Sequence, residues 1–139
     1  MIDFHTDHMD SFEIQEAQRD NLALLSKELM NDLKGYKFTY LEDSKAKAFV
    51  GMELAWKGRA VVWAMVGDVD NWIRFHRETY RLMETYRKEN GIIRLELITK
   101  DGFEESDRWA KMLGFELESV MRSYINGDDH KMWVKLWIH

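Results

Sequence analysis

The 139-residue sequence contains no cysteine and no proline. Without cysteine the chain can form no disulfide bond, no thiolate zinc site and no cysteine nucleophile. Proline makes up about 5% of an average protein, but its absence does not by itself indicate a function. No apolar run approaches the about 18 residues that a membrane-spanning helix needs, and residues 1–10 lack the basic and apolar segments of a signal peptide.

The composition predicts one folded, soluble domain over residues 1–139. Apolar residues make up 45% of the chain and charged residues 32%, values that are typical of globular proteins and too apolar for a disordered one. A chain of this length can bury its own core. The net charge of −5 would repel a phosphate backbone, so nucleic-acid binding is disfavoured. We expect a cytoplasmic protein.

Hydrophobic periodicity predicts the elements of the first half of the chain. Leucines recur at steps of three and four residues between Ile14 and Lys34, which predicts a helix that Gly35 can end. Residues Ala60–Val66 are apolar on both faces, as in a central strand that is covered from both sides. The other strands of this half are predicted at Met1–His5, Tyr36–Leu41 and Ala48–Trp56, with turns at Glu42-Asp43-Ser44 and Lys57-Gly58.

The second half predicts a long helix, a strand, a short helix and a hairpin. Apolar side chains recur with helical period from Trp72 to the stop at Asn90-Gly91. Asn126-Gly127 is a strong signal for a two-residue hairpin turn, although Asp128 and Asp129 could lengthen the loop. The other elements are predicted at Ile92–Thr99 (strand), Asp101-Gly102 (turn and cap), Phe103–Leu113 (helix, ended by Gly114), Leu117–Ile125 and Lys131–Ile138 (strands). The predicted class is α/β, of the α+β kind, with a mixed central sheet of six to seven strands flanked by helices.

This order of elements resembles the fold of the Gcn5-related N-acetyltransferases (GNATs), over nearly the whole chain. Val50-Gly51 resembles the start of the family's third strand, and Gly91–Thr99 resembles its fifth strand. Arg108–Phe115 resembles the family's fourth helix and its Leu-Gly-Phe ending. The resemblance implies a GNAT-like domain, acetyl-CoA as the cofactor and acyl transfer to an amine as the reaction.

A closer resemblance is to the small GNAT-like proteins of short-tailed bacteriophages, of the type called internal virion protein A. It rests on the segment Asp10–Ile14, on tryptophan-rich strands, on the basic helix that begins at Trp72, and on Arg108-Trp109. This resemblance implies a phage protein in the host cytoplasm or in the virion. Its expected partner is a host protein or another virion protein.

The expected cofactor loop departs from the family's pattern. In an active GNAT, a glycine-rich loop after the central strand holds the pyrophosphate of acetyl-CoA with backbone N–H groups, at the N-terminus of the next helix. Here residues 67–76 read Gly-Asp-Val-Asp-Asn-Trp-Ile-Arg-Phe-His, with no glycine beyond Gly67, although a Cβ atom hinders the close approach of backbone to phosphate. Asp68 and Asp70 add negative charge, and Asp70 or Asn71 can cap the helix instead. The loop therefore argues against acetyl-CoA binding.

If acetyl-CoA binds, the resemblance assigns its contacts to Met65, Val66, Asn71, Trp72 and Arg74. Arg74 is the side chain that could contact a phosphate directly. Alternatively, Arg74, Arg77 and Arg81 form the solvated face of the helix, with Arg74 paired with Glu78 one turn away. A third alternative is a basic stripe that binds an acidic partner.

The acid of the GNAT reaction also departs from the family's pattern. The family's tyrosine in the fourth helix corresponds to Ala110, and the family's asparagine near the start of that helix corresponds to about Phe103. Tyr124 could replace the acid, although a tyrosine in a strand is more often a packing residue. These departures put the transfer reaction in doubt.

Two glutamates are candidates for the general base of an acyl transfer. Glu96 and Glu53 both lie within apolar strands, where burial can raise the pKa of a carboxyl group towards neutrality. Arg94 points to the same face as Glu96, so this pair could instead be structural. His5 and His8 lie near Asp3, Asp7 and Asp10, but exposed helix caps explain the same residues, and no metal site is predicted.

The leading hypothesis is a GNAT-like protein with a degenerate acetyl-CoA loop that acts by binding a protein, as a minor virion component or a modulator of a host protein. The alternative is an active N-acyltransferase that acts on a protein or a small amine, with acetyl-CoA between the strands Val61–Val66 and Ile92–Ile98. Nucleic-acid binding along the arginine stripe is the third hypothesis, against which the net charge argues.

Overall fold

The computed structural model describes residues 1–11 and 35–137. Within them the strands are β1 (Ile2–Asp3), β2 (Tyr36–Glu42), β3 (Lys45–Trp56), β4 (Arg59–Val66), β5 (Arg94–Lys100), β6 (Glu116–Ile125) and β7 (Asp128–Leu136). The helices are α1 (Trp72–Asn90) and α2 (Glu104–Met112), together with a 3-10 helix at Thr6–Ser11. The predicted helix Ile14–Lys34 lies outside the described residues.

The seven described strands form one mixed sheet in the order β1-β2-β3-β4-β5-β7-β6. β4 and β5 pair in parallel, with Arg59 opposite Arg94 and Val62 opposite Leu97. β1 with β2, β2 with β3, β5 with β7, and β6 with β7 pair antiparallel. The sheet is flanked by the two helices, so the predicted fold class and strand number are confirmed.

The chain divides into two compact units. The first takes in the described residues of Met1–Glu53 and Trp63–Arg81, and its fully buried side chains include Tyr40, Phe49 and Phe75. The second takes in the described residues of Leu54–Val62 and Leu82–His139, and its buried side chains include Leu95, Leu113 and Trp133. The assignment of residues 1–139 to one domain stays a prediction. No described helix combines the length and the apolar character that crossing a membrane requires.

Two local signals in the sequence have the predicted outcome. Asn126 and Gly127 alone connect β6 to β7, and both have positive φ, at 52° and 80°, as a type I′ turn requires. Asp128 belongs to β7 and does not lengthen the loop. Gly114 has φ 93° after α2, where its N–H bonds to the carbonyl of Lys111 and the Phe115 N–H bonds to that of Ala110. This is the Schellman ending of a helix.

Several predicted boundaries were wrong for identifiable reasons. β3 begins at Lys45 instead of Ala48, because Ala46 is buried like Ala48 and Lys45 pairs with Glu42 of β2. β5 begins at Arg94 instead of Ile92, because the Ile92 N–H still bonds to the carbonyl of Arg87 at the end of α1. The remaining corrections are the start of β7, at Asp128 instead of Lys131, and the N-cap of α2, which is Phe103 without a side-chain cap and not Asp101-Gly102.

Candidate functional site

The loop between β4 and α1 is held by backbone hydrogen bonds. The Gly67 N–H donates to the carbonyl of Lys47 at 2.8 Å, and the Val69 N–H donates to that of Gly67 at 3.1 Å. Lys47 is the extra residue of a β-bulge in β3, since Tyr40 pairs with Ala48 while Leu41 pairs with Ala46. The bulge therefore fixes one end of the loop.

Asn71 caps the N-terminus of α1. Its side-chain oxygen Oδ1 accepts the N–H of Arg74 at 3.1 Å, and its carbonyl accepts the N–H of Phe75 at 3.1 Å. This satisfies one of the N–H groups that a helix start leaves without an intrahelical partner. Of the two residues that the sequence allowed as the N-cap, Asn71 is the one that caps the helix. The Asp70 side chain is 75% exposed and lies 3.8 Å from the Lys47 ammonium.

The backbone N–H groups of the two residues before α1, Asp70 and Asn71, bind a carboxylate of the protein itself. Oε1 of Glu42 accepts the backbone N–H of Asp70 at 2.9 Å, and Oε2 accepts that of Asn71 at 2.8 Å. The hydroxyl of Tyr40 also donates to Oε2, at 2.8 Å. Glu42 is only 7% exposed. Three converging donors thus hold an anion at the N-terminus of α1, where the helix dipole also favours negative charge.

Local strand geometry places Glu42 there. Glu42 is the last residue of β2 and pairs with Lys45 across a two-residue turn, Asp43-Ser44. Both turn residues have positive φ, at 49° and 65°, a conformation that residues other than glycine seldom adopt. Glu42 lies two residues after the buried Tyr40, so strand alternation turns both side chains to the same face. The sequence pattern predicts Glu42 in a polar turn, whereas it is the buried last residue of β2 and binds the loop.

The donors hold Glu42 in its charged form. Burial acts to raise the pKa of its carboxyl group, but the N–H groups of Asp70 and Asn71, the Tyr40 hydroxyl and the nearby Lys47 charge outweigh burial and leave this pKa below its usual value. Burial and the hydrogen bond to Glu42 raise the pKa of Tyr40. We call the N–H groups of Asp70 and Asn71 and the hydroxyl of Tyr40 the anion seat. Near neutral pH this seat therefore holds a carboxylate, and Tyr40 is a neutral phenol.

Arg74 is bound within the same unit. Its guanidinium donates to the carbonyl of Leu41 and, through Nε, to Glu78 at 3.2 Å, and it lies over the ring of Tyr40 at 4.9 Å from the centroid. The expected helix pair between Arg74 and Glu78 is confirmed. The guanidinium thus packs over the carboxylate-binding tyrosine.

The other residues assigned to cofactor contacts serve the core or the surface. Met65 packs against Ala46 and Phe49, and Val66 is buried at the end of β4. Trp72 is 41% exposed, and its ring meets the edge of Phe75 at a centroid distance of 5.7 Å. Trp72 begins α1, and the N–H groups of Asp70 and Asn71 just before it bind Glu42.

Solved structures resemble this chain. A GNAT-family acetyltransferase from Bacillus anthracis matches with a TM-score of 0.72 at 10% identity, over 96% of this chain and 92% of its own. Ard1 from Thermoplasma volcanium matches with a TM-score of 0.73 at 15% identity, over 99% and 96%. A ribosomal L7/L12 alpha-N-protein acetyltransferase, solved with coenzyme A, matches with a TM-score of 0.63 at 16% identity, over 85% and 68%. The chain has the GNAT acetyltransferase fold.

The fold that the sequence resemblance implied is thus confirmed. No protein-family model and no curated protein sequence matches the chain. Because sequence identities of 10% to 16% say little about a site, the likeness to these GNAT structures shows the fold alone. Function has to be argued from the residues of this chain.

Glu96, the first candidate base, is enclosed by two arginines. Its carboxylate accepts hydrogen bonds from Arg59 and from Nε of Arg94, the latter at 2.9 Å, and is 3% exposed. Hydrogen bonds from Arg59, against the opposing effect of burial, hold the pKa of Glu96 below its usual value, and Arg94 adds to this. A general base needs the opposite shift. Glu96 therefore forms the structural ion pair with Arg94 that was the alternative to a catalytic role.

Of the other catalytic candidates, Tyr124 lies apart from Glu96 in the strand register. Glu53 is half-buried in β3. Tyr124 is 48% exposed on β6, with its ring 5.8 Å from that of His130, whereas Glu96 pairs with Val134 of β7. Ala110, at the position of the family's tyrosine, is completely buried in α2, and Phe103 caps that helix in extended conformation.

The histidines near the N-terminus bind protein groups. Nδ1 of His8 lies 2.7 Å from the Thr39 hydroxyl and accepts the backbone N–H of His5 at 3.0 Å. Nδ1 of His5 lies 3.4 Å from the Asp7 carboxylate. In the part of the chain that the structure describes, no group of three or more His, Asp or Glu side chains is placed to hold a metal ion.

Proposed function

We propose that this chain is a GNAT-fold protein that acts by binding another protein and does not use acetyl-CoA. The observation that carries the proposal is the carboxylate of Glu42, which accepts the N–H groups of Asp70 and Asn71. In the GNATs that the sequence resembles, N–H groups at this helix start hold the pyrophosphate. The residues of this chain therefore do not fit the cofactor in that seat.

The hydrogen bonds to Glu42 make acetyl-CoA binding unfavourable. A charge-assisted hydrogen bond contributes about 1.5–3 kcal/mol, and two such bonds to a pyrophosphate are replaced here by bonds to Glu42. Their loss alone corresponds to at least about a 100-fold weaker affinity. The Glu42 charge would also repel the phosphates, and the exposed Asp70 adds to the repulsion.

Exposed apolar side chains support the protein-binding part of the proposal. Trp56 is 75% exposed beside the β3–β4 turn, a high value for a residue type that is enriched at protein interfaces. β6 is the last strand in the sheet order, and Leu117, Val120 and Tyr124 are about half exposed along it. An edge strand with apolar side chains is a surface on which another chain can dock.

The sequence resemblance to small phage proteins supplies the setting of the proposal. In that setting the partner is a host protein or a virion protein, and the chain acts in the host cytoplasm or within the particle. Mass spectrometry of purified particles tests the virion role, since the protein would be found at a constant ratio to the structural proteins. Its absence from particles, with a host protein recovered on the tagged chain, would favour the modulator role.

Calorimetry tests the cofactor part of the proposal. Titration of acetyl-CoA into the wild-type protein is expected to give no binding heat at millimolar ligand, because the donors at the start of α1 are bound to Glu42. The ribosomal-protein acetyltransferase that was solved with coenzyme A serves as the positive control. Saturable micromolar binding to the wild-type chain that Arg74→Ala abolishes would overturn the proposal.

The second candidate is an N-acyltransferase on a protein or small-molecule amine, which the acetyltransferase structures of the same fold favour. In this candidate Glu53 is a better general base than Glu96, because two guanidinium groups already bind Glu96. Tyr124 remains the candidate acid. Acetyl transfer that is lost in Glu53→Gln but kept in Glu96→Gln would favour this candidate. Nucleic-acid binding has weaker support, since Arg74 is engaged by Leu41 and Glu78.

A further inference from the structure

Glu42 is held at the start of α1 as a bound anion would be. Each of its carboxylate oxygens accepts one backbone N–H, Tyr40 supplies a third bond, and the side chain is more than nine-tenths buried. We propose that Glu42 occupies these donors as an internal anion and excludes external ones, so that truncation of its side chain frees the position for a small external carboxylate. This inference rests on the proposed function, and it identifies the Glu42 side chain as the group that blocks the anion seat.

The donors of this seat are positioned by bonds that do not involve Glu42. The Gly67 N–H is fixed to the bulge residue Lys47, and Val69 is fixed to Gly67. Asn71 caps the helix through its own side chain. The Tyr40 ring packs on Phe75 at a centroid distance of 4.9 Å, and the Arg74 guanidinium lies over the Tyr40 ring, 4.9 Å from its centroid. The two N–H groups and the hydroxyl therefore keep converging when the Glu42 carboxylate is absent.

The surroundings favour a small carboxylate over a larger polyanion. The truncation Glu42→Ala removes one carboxylate and its short stem from a buried position, which leaves space of about the size of acetate. The Lys47 ammonium, 3.8 Å from Asp70, contributes positive charge. The Asp70 carboxylate lies on the loop that supplies the N–H groups, and its negative charge disfavours a ligand that carries more than one negative charge.

Chemical rescue tests the inference. The melting temperature of Glu42→Ala is measured in sodium acetate and in sodium chloride at equal ionic strength. Acetate is expected to raise it by at least about 4 °C more than chloride does, because a ligand that binds only the folded state stabilises it. The wild-type protein and Glu42→Gln, whose side chains still fill the seat, are the matched controls and are expected to show only the smaller general effect of acetate as a salt.

An equal response of Glu42→Ala to acetate and chloride would overturn the inference, as would an equal acetate effect on the wild-type protein. If Glu42→Ala does not fold in chloride, refolding from denaturant is compared in the two salts. Recovery in acetate alone supports the inference, and failure in both overturns it. The test is independent of acetyl-CoA, so binding of acetyl-CoA to the wild type would refute the proposed function without deciding this result.

Discussion

Replacing Glu42 with alanine is expected to lower the free energy of unfolding by about 3–4 kcal/mol, because three donors at a buried position lose a charged acceptor at once. Urea unfolding at pH 7 measures this loss. Asp70→Ala is the matched control, since it removes the same charge from an exposed side chain on the loop that Glu42 binds, and it is expected to change stability by less than about 0.5 kcal/mol.

The Glu42 contribution has a defined pH dependence. Folding lowers the pKa of this carboxyl group below 4.5, so its stabilisation is complete above about pH 4.5 and is lost as the pH falls through the folded-state pKa. Glu42→Gln, which cannot ionise, is therefore expected to lose less stability than the wild type between pH 5 and pH 3. Parallel pH profiles of the two proteins, or equal stability of Glu42→Ala and wild type at pH 7, would refute this role.

Replacing Glu96 with alanine is expected to cost about 2–3 kcal/mol, because it leaves two guanidinium groups beside a buried position without their shared carboxylate. This loss of stability is smaller than for a charge that is left completely buried and unpaired, because Arg59 is about half exposed and Arg94 keeps its two hydrogen bonds to Glu118. Urea unfolding measures it, and Glu118→Ala, at the exposed end of the same network, is the control with the smaller expected loss. Equal losses for both variants would contradict the buried role of Glu96.

The regular part of the fold could be predicted because its patterns are local. The apolar run Ala60–Val66, the stripe of α1 and the Asn126-Gly127 turn each specify their own element through burial or backbone conformation. Strand ends were harder, because they depend on partners. The charged Lys45 resembles a turn residue in the sequence, and only its pairing with Glu42 shows that it belongs to a strand. Ile92 resembles a strand residue, but its N–H bonds to Arg87 in the last turn of α1.

Only the local contacts of the candidate site could be predicted from the sequence. The cap at Asn71 and the pairing of Arg74 with Glu78 are local and could be predicted. The partner of the loop could not, because Glu42 lies 28 residues before Asp70 and reaches it only through the register of β2 and the bulge at Lys47. One signal was available: Glu42 shares the inward face of Tyr40, where a carboxylate needs donors.

The proposed function requires that Glu42, and not acetyl-CoA, binds the N–H groups of Asp70 and Asn71. Nuclear magnetic resonance of ¹⁵N-labelled protein tests it most directly, through the amide cross peaks of these two residues. We expect both peaks to stay in place when acetyl-CoA is added to millimolar concentration, and both to move when acetate is added to Glu42→Ala, which shows that they respond to a bound anion. Progressive, saturable movement of the Asp70 and Asn71 peaks of the wild-type protein with acetyl-CoA would show that the cofactor binds there despite Glu42, and would refute the proposed function.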